Sequence, residues 1–524
     1  PPQPVVTKAG NADDGGDGVA AFTFDLSPTA VAAESAGEEE TDPSADPRQP
    51  RPILWVKLRD DVPESLHEKI RRLNIQGVYG RRVYRRVYPS NQLGSHLIGF
   101  VNREQQAAAG LESYADFYLR GQQGWRLGER DGRNRELPQF AVREVPRFDG
   151  YNVRLSIDST VQDIVEQELA ALAAKFRPAK ASIIVSDTDG FILAMANHPT
   201  FNPNEYNKVP KEEEVRMKNV AVTDVYEPGS VFKIVSVSGA LEERLITPNS
   251  IFDCGATTVP YRGRMVSMPA DSHAIGAADI RQIVRESSNR GTVQVGMQYA
   301  ERLGEDKFFA LIKSFGFGAR TGLITGAEIP GLLITPKDWD GLTISRVPMG
   351  HSVSVTAMQM HFAMSVVAAE GLLMQPQLVL RVEDPKTKAT VLNYGPRSRG
   401  RAVSAATAAQ MATLLRAVCG KGGTAPIADI PGYEVAGKTG TTQKIVNGRY
   451  SNAHHVASFA GFFPVNDPKL AITVIIDEPQ GEGVGYGGKV SAPIFRDVAE
   501  KCIRWLDIPP VSTVPRAHVA DLGR

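Results

Sequence analysis

A serine and a lysine one helical turn apart form a pair that can perform nucleophilic chemistry. The segment YEPGSVFK at positions 226–233 places Pro-Gly directly before Ser230. Because Pro-Gly ends the preceding element, Ser230 is predicted to open a helix, with Lys233 on the same face. A serine hydroxyl attacks a carbonyl well only when a base takes its proton, and a lysine can be that base once burial lowers its pKa. Ser230 is therefore the predicted nucleophile and Lys233 its base.

A second polar pair, Ser287 and Asn289, follows the helix-like run 280–286. The Ser287 hydroxyl can relay a proton to a leaving amine, and the Asn289 amide can hold both the lysine and a substrate carbonyl. Taken alone, such a pair is more often the ordinary end of a helix, where Asn and Gly are common.

A third motif, Lys438-Thr439-Gly440-Thr441, follows small residues that are typical of a strand. A glycine in an edge strand lets an extended peptide approach the backbone, while Lys438 and the two threonine hydroxyls bind its carboxylate. The backbone N–H groups of Ser230 and Thr441 are predicted to form an oxyanion hole, in which each donor contributes about 3 kcal/mol.

The three motifs carry more weight together than apart. Each has an ordinary structural explanation by itself, as a helix cap or a surface turn. However, Ser-x-x-Lys, Ser-x-Asn and Lys-Thr-Gly each occur once in this chain, in that order. The order favours one shared active site in which the three segments meet.

At these motifs the chain resembles the penicillin-binding and serine β-lactamase superfamily. Further segments resemble the class B penicillin-binding proteins, the monofunctional transpeptidases, more closely. These segments are RVYP at 86–89 with GLE at 110–112, NHPTFNPN at 197–204, FGFG at 315–318, MGH at 349–351 and ASFAGFFP at 457–464. The resemblance extends over about residues 80–505.

The resemblance implies the reaction and the role of each residue. Ser230 would be acylated by a peptidoglycan stem peptide ending in D-Ala-D-Ala, and a neighbouring stem's amine would then attack the acyl-enzyme. Lys233 would act as the base, and Ser287 with Asn289 would form the second wall of the cleft. Substrate binding would fall to the Lys-Thr-Gly-Thr segment, where β-lactams would also bind before they acylate the serine.

The resemblance also implies partners and a location. We expect an extracytoplasmic enzyme that works with a membrane-embedded glycosyltransferase and other divisome or elongasome proteins, with the division-type role favoured. The chain begins with Pro-Pro-Gln-Pro and has no run approaching the about 18 consecutive apolar residues of a membrane helix. A membrane anchor is therefore expected upstream of these residues.

Patterns along the chain predict an α+β fold with a disordered N-terminal tail. Residues 1–50 are rich in Pro, Gly and acidic residues, and 51–150 contain short mixed elements of a small pedestal domain. Residues 151–510 hold strands at both ends and helices between them, which predicts an antiparallel sheet completed by distant parts of the chain, with flanking helices. Residues 511–524 are expected to be a C-terminal tail.

Composition excludes several classes of function. The 59 basic and 59 acidic side chains balance to a formal charge of zero, so no overall field attracts nucleic acid. The three cysteines, Cys254, Cys419 and Cys502, are too few and too scattered for a disulfide framework or a Cys-x-x-Cys metal site. We therefore predict no metal, no cofactor and no nucleic-acid partner.

Two alternatives stay open beside transpeptidation. A D,D-carboxypeptidase uses the same motifs, and a non-catalytic β-lactam sensor or divisome scaffold shares the fold. A class A β-lactamase is disfavoured because the Glu-x-x-Leu-Asn element it needs is missing. A thiol enzyme built on Cys419 with His454 or His455 is disfavoured too, because nothing around the cysteine indicates a nucleophile.

Overall fold

The computed structural model describes residues 56–59, 62–80, 83–129, 131–132, 137, 143–481 and 486–511. The predicted tail 1–50, and the predicted tail 511–524 apart from its first residue, lie outside the described residues. Contacts divide the chain into two compact units, Pro1–Val83 and Tyr84–Arg524. The domain boundary expected near residue 150 falls within the second unit and stays a prediction.

The first unit contains helix α1 (Glu64–Arg72). Glu64 lies in its first turn, and Lys69, Arg71 and Arg72 lie in its last turn. These charges complement the helix dipole, which is positive at the start and negative at the end.

The second unit contains the remaining helices and all of the described strands. Its helices are α2 (Ser95–Ile98), α3 (Gly110–Leu119), α4 (Ser159–Phe176), α5 (Val220–Thr223), α6 (Lys233–Glu242), α7 (Ile280–Arg285), α8 (Asn289–Leu303), α9 (Glu305–Ser314), α10 (Ala357–Ala368), α11 (Ala405–Cys419) and α12 (Gly487–Trp505). Its strands are β1 (Trp125–Leu127), β2 (Arg143–Val145), β3 (Asn152–Leu155), β4 (Lys180–Ser186), β5 (Ile192–His198), β6 (Val225–Tyr226), β7 (Ile251–Asp253), β8 (Thr258–Tyr261), β9 (Arg264–Ser267), β10 (Ala277–Asp279), β11 (Leu332–Leu333), β12 (Val353–Thr356), β13 (Leu372–Met374), β14 (Val379–Glu383), β15 (Thr390–Asn393), β16 (Ser398–Arg401), β17 (Ala436–Val446), β18 (Arg449–Phe463) and β19 (Leu470–Asp477).

A five-stranded antiparallel sheet in the order β17-β18-β19-β4-β5 forms the centre of the second unit. Its strands come from two stretches of sequence that are more than two hundred residues apart. This confirms the prediction that distant parts of the chain complete one sheet. The active-site motif Lys-Thr-Gly-Thr lies in β17, which is the edge strand.

Helices cover both faces of the sheet. All but the last residue of β19 is buried, and a strand whose successive side chains are all buried must be covered on both faces. Helices α4 and α12 pack together against the sheet, and α10 packs against β4, β18 and β19. Asp158 caps helix α4 by accepting the backbone N–H groups of Thr160 and Val161.

A buried histidine joins α10 to the sheet. His361 is fully buried, and its ring nitrogens lie 2.9 Å from Thr473 Oγ1 and 2.8 Å from Ser186 Oγ. Burial lowers the pKa of His361 to about 3. The folded protein therefore keeps this ring neutral in a range of pH where the unfolded chain protonates it.

Stability is expected to fall in mild acid because of His361. The unfolded chain takes up a proton below pH about 6.5 and the folded state does not, so the lost stability between pH 7 and pH 5 is about 2 kcal/mol. In a His361→Gln variant, which cannot ionise, this part of the pH dependence should disappear. Denaturant unfolding at pH 7 and pH 5 measures the free energy of unfolding, with His67→Gln in the first unit as the control. If the free energy of His361→Gln changed with pH as much as that of the wild-type protein, the assignment to His361 would be contradicted.

Candidate active site

The predicted nucleophile lies on a tight turn directly before α6. Gly229–Phe232 forms a 3-10 turn, and the α-helix begins only at Lys233, so Ser230 precedes the regular helix that it was predicted to open. Gly229 has a φ of 55°, and a Cβ atom there would stand 2.3 Å from Thr442 Oγ1. Only glycine fits both the backbone conformation and the space. The Gly229 N–H donates to Gly350 O at 3.0 Å, which holds the turn in place.

Lys233 is buried and makes three hydrogen bonds with the second motif. In its ammonium form, Lys233 Nζ can donate to Ser287 O at 2.6 Å, to Asn289 Oδ1 at 2.7 Å and to Ser287 Oγ at 3.2 Å. Burial lowers the pKa of Lys233 well below its usual value, and the positive charge of Lys438 lowers it further. The environment therefore favours the neutral amine, which is the form that can accept a proton.

The Ser287 hydroxyl lies between two lysines. Lys438 Nζ donates to Ser287 Oγ at 2.8 Å, opposite the bond from Lys233. Burial lowers the pKa of Lys438 to about 7. Two amines that share one hydroxyl in a buried site oppose each other's protonation, so they titrate as a coupled pair.

Ser287 lies in the connection between α7 and α8, and Asn289 is the first residue of α8. Ser287 has a φ of 61°, a left-handed conformation that is uncommon outside glycine. Ser288 caps α8 by accepting the Gly291 N–H at 2.9 Å, so Asn289 begins a helix and does not end one. Asn289 Nδ2 donates to Ala270 O at 2.7 Å, and its second N–H can serve a substrate carbonyl.

The third motif lies in the buried part of an edge strand of the sheet, next to the nucleophile turn. A Cβ atom on Gly440 would stand 2.8 Å from Val231 Cγ2, so the strand and the turn lie in close contact. Thr439 Oγ1 lies 2.9 Å from Thr424 Oγ1, and the Gly487 N–H donates to Thr441 Oγ1 at 3.1 Å. These contacts fix the orientation of both threonine hydroxyls.

The structure therefore brings the three predicted motifs together. Hydrogen bonds connect Lys233, Ser287, Asn289 and Lys438 directly, and the nucleophile turn packs on the strand that contains Lys438. Cys419 is buried, and that burial raises the pKa of its thiol to about 12. It is therefore a poor nucleophile at neutral pH, as expected.

Glu227 joins the nucleophile turn to two other segments, and the sequence analysis did not single it out. It accepts the Ser352 N–H at 2.8 Å and the Tyr450 hydroxyl at 3.0 Å, and its Oε2 lies 3.1 Å from His351 Nδ1. Burial acts to raise the pKa of Glu227, but the partners outweigh it and the pKa lies below its usual value. Its position three residues before Ser230 was the one signal in the sequence that could have indicated this role.

Two sequence families match this chain. The family described as "Penicillin binding protein transpeptidase domain" matches residues 181–500, and "Penicillin-binding Protein dimerisation domain" matches residues 49–155. The chain belongs to the class B penicillin-binding proteins. The family, the fold class and the reaction class predicted from the sequence, serine-type transpeptidation, are thereby confirmed.

Relatives with curated names cover most of this penicillin-binding protein. "Stage V sporulation protein D" of Bacillus subtilis is 34% identical over 446 residues, which are 84% of this chain and 67% of the relative. "Peptidoglycan D,D-transpeptidase FtsI" of Escherichia coli is 30% identical over 460 residues, which are 87% of this chain and 73% of the relative.

Solved structures agree with the fold. Penicillin-binding protein 3 from Mycobacterium tuberculosis, complexed with aztreonam, aligns with a TM-score of 0.70 at 28% identity, covering 81% of this chain and 91% of that one. A peptidoglycan synthetase from Bifidobacterium adolescentis aligns with a TM-score of 0.72 at 25% identity, covering 88% of this chain and 81% of that one.

The described residues contain no metal-ligand cluster and no helix of membrane-spanning character. Within them, no group of three or more His, Cys, Asp or Glu side chains could hold a metal ion. None of the helices in the described part of the chain is both long and apolar enough to cross a membrane.

Proposed function

We propose that this penicillin-binding protein crosslinks peptidoglycan stem peptides by D,D-transpeptidation through an acyl-enzyme on Ser230. The observation that supports this most is the Ser287 hydroxyl between Lys233 and Lys438, beside the edge strand. A neutral amine, a relay hydroxyl and a cation at a strand edge are the groups that acyl transfer from a carboxylate-bearing peptide needs.

Acylation begins when the Ser230 oxygen attacks the carbonyl carbon of the penultimate D-Ala. Lys233 takes the hydroxyl proton, and the oxyanion accepts hydrogen bonds from the backbone N–H groups of Ser230 and Thr441. The C–N bond to the terminal D-Ala then breaks. The proton passes from Lys233 through the Ser287 hydroxyl to the departing amine, and the peptide stays on Ser230 as an ester.

Deacylation reverses these steps with a different amine. The acceptor amine of a neighbouring stem attacks the ester, gives its proton to Lys233 and forms the new amide as Ser230 leaves with a proton. A β-lactam would enter the same path, but its opened ring stays attached and occupies the acceptor's position.

In this mechanism, the edge strand β17 binds the donor peptide. The donor adds beside β17 as an extended strand, with its backbone against Gly440. Its terminal carboxylate is bound by the Lys438 ammonium and by the hydroxyls of Thr439 and Thr441, whose orientations are fixed by Thr424 and Gly487. Asn289 donates its free N–H to a donor carbonyl.

We further propose the setting in which the enzyme works. The family acts on the extracytoplasmic side of the membrane, and an N-terminal membrane anchor would keep this protein near a glycosyltransferase of the divisome or elongasome. The division role is favoured because FtsI is among the relatives. Depletion should then give filaments, and round cells would indicate the elongation role.

A donor pentapeptide ending in D-Ala-D-Ala, incubated with the protein and an amine acceptor such as glycine, tests the reaction. Mass spectrometry should detect the aminolysis product, and its share should rise with acceptor concentration. Hydrolysis products alone, at every acceptor concentration, would favour the carboxypeptidase. Neither product, with intact folding, would favour the non-catalytic sensor or scaffold.

A further inference from the structure

A short segment outside the three motifs is bound tightly to the second of them. Segment 269–271 lies between β9 and β10 and contacts the turn that begins α8. Asp271 Oδ2 accepts the Ser288 hydroxyl at 2.8 Å, and Asp271 Oδ1 accepts the backbone N–H of Asn289 and, at 3.3 Å, that of Arg290. A single carboxylate therefore satisfies three donors at the start of one helix.

The same segment also holds the Asn289 side chain. Ala270 O accepts one N–H of the Asn289 amide, which turns the amide oxygen toward Lys233 Nζ. In addition, Arg290 Nε donates to Pro269 O at 3.1 Å. Both the backbone and the side chain of Asn289 are therefore fixed by segment 269–271.

This support matters because the turn is strained. Ser287 has a φ of 61°, and such a conformation persists when surrounding contacts hold it. Ser287 and Asn289 accept three hydrogen bonds from Lys233, so a small displacement of the turn would move the acceptors of the base. A displacement of about 1 Å in an active site can cost about 100-fold in rate.

We propose that Asp271 is a positioning residue for acyl transfer, which holds the Ser287–Asn289 turn so that Lys233 faces the nucleophile. The inference rests on the proposed function and adds to it a residue outside the three motifs. Asp271 acts through Ser288 and Asn289, and it does not touch the reacting atoms.

Because Asp271 carries a negative charge, its replacement should also change the pH dependence of the acylation rate. Burial has the largest effect on the pKa of Lys233. The titratable groups that also act on it are Lys438, which lowers this pKa, and Asp271 and Cys254, which raise it. Removing the Asp271 charge should therefore lower the pKa of Lys233 further. The acid limb of the acylation rate, where Lys233 becomes protonated, should move to lower pH.

Asp271→Asn tests the proposal, with the rate constant for acylation by benzylpenicillin measured across pH. The expected result is a fall of about 10-fold to 100-fold per active molecule, with the acid limb moved to lower pH. Asp271→Glu, which keeps the charge, should keep the acid limb near its wild-type position. Asp384→Asn is the matched control, since Asp384 accepts the backbone N–H groups of Lys386 and Thr387 in a turn on another sheet.

Three results would separate the possibilities. A lower melting temperature for Asp271→Asn, with a wild-type rate and acid limb per active molecule, would reduce Asp271 to a structural role and overturn the proposal. A wild-type rate in a fully stable variant would overturn it as well. If the wild-type protein itself forms no adduct, the proposed function fails, and this inference fails with it.

Discussion

Ser230→Ala protein is expected to form no covalent adduct with benzylpenicillin, whereas the wild-type protein should gain the mass of one antibiotic molecule. The hydroxyl is the group that would carry the acyl chain, and alanine removes it without filling new space. Since Ser230 lies in a 3-10 turn held by Gly229 and Gly350, the variant should fold normally. Intact-mass spectrometry measures the adduct directly, and the loss should be complete.

The control for this experiment lies on the following helix. Ser238 is a buried serine of α6, and Ser238→Ala should keep the adduct at the wild-type stoichiometry. An adduct of unchanged mass on Ser230→Ala would place the nucleophile elsewhere. No adduct on the wild-type protein would argue against the enzyme altogether.

Lys233→Ala is expected to acylate at least about 100-fold more slowly than the wild-type protein. The variant lacks the amine that is proposed to take the Ser230 proton, although Lys438 keeps its hydrogen bond to the Ser287 hydroxyl. The acid limb of the rate should also vanish, because the group that titrates there is gone. Rates of adduct formation between pH 5 and 9 would show both effects.

A second lysine, Lys444, provides a control that distinguishes the loss of the catalytic base from the loss of a positive charge in general. Lys444 lies farther along β17, where it pairs with Asp477 and Glu478. Lys444→Ala should acylate at a rate close to that of the wild-type protein. Undiminished acylation in Lys233→Ala, measured at matched folded fractions, would refute Lys233 as the base.

The sheet and the three motifs could be predicted because their signals are local. The strands at 181–185, 191–196, 458–463 and 470–476 are apolar runs of strand length, and the structure places a strand over each of them. The spacing of Ser230 and Lys233, one helical turn, predicted that the hydroxyl and the amine lie on the same face of a helix. Order and uniqueness of the motifs then indicated one site, and the hydrogen bonds from Lys233 and Lys438 to Ser287 join them.

The supporting contacts could not be predicted, because they depend on how separate segments pack. Thr424 and Gly487 orient the threonines of β17 from two other elements, and no spacing in the sequence links them to that strand. Asp271 and Asn289 are separated in the chain by β10 and α7, and no sequence pattern indicates their contact. The sequence alone left open whether Asn289 ends a helix or begins one, because Asn and Gly occur in both settings and only the cap from Ser288 distinguishes them.

The left-handed backbone at Ser287 limits which residues can replace this serine and still supply a hydroxyl. Glycine, asparagine and aspartate adopt that conformation readily, but none of them offers a hydroxyl to two amines. Threonine keeps the hydroxyl, but its branched Cβ is a poor fit for positive φ. A bacterium under selection by an inhibitor of this groove therefore has few single changes available here, and escape should arise at residues around the groove instead.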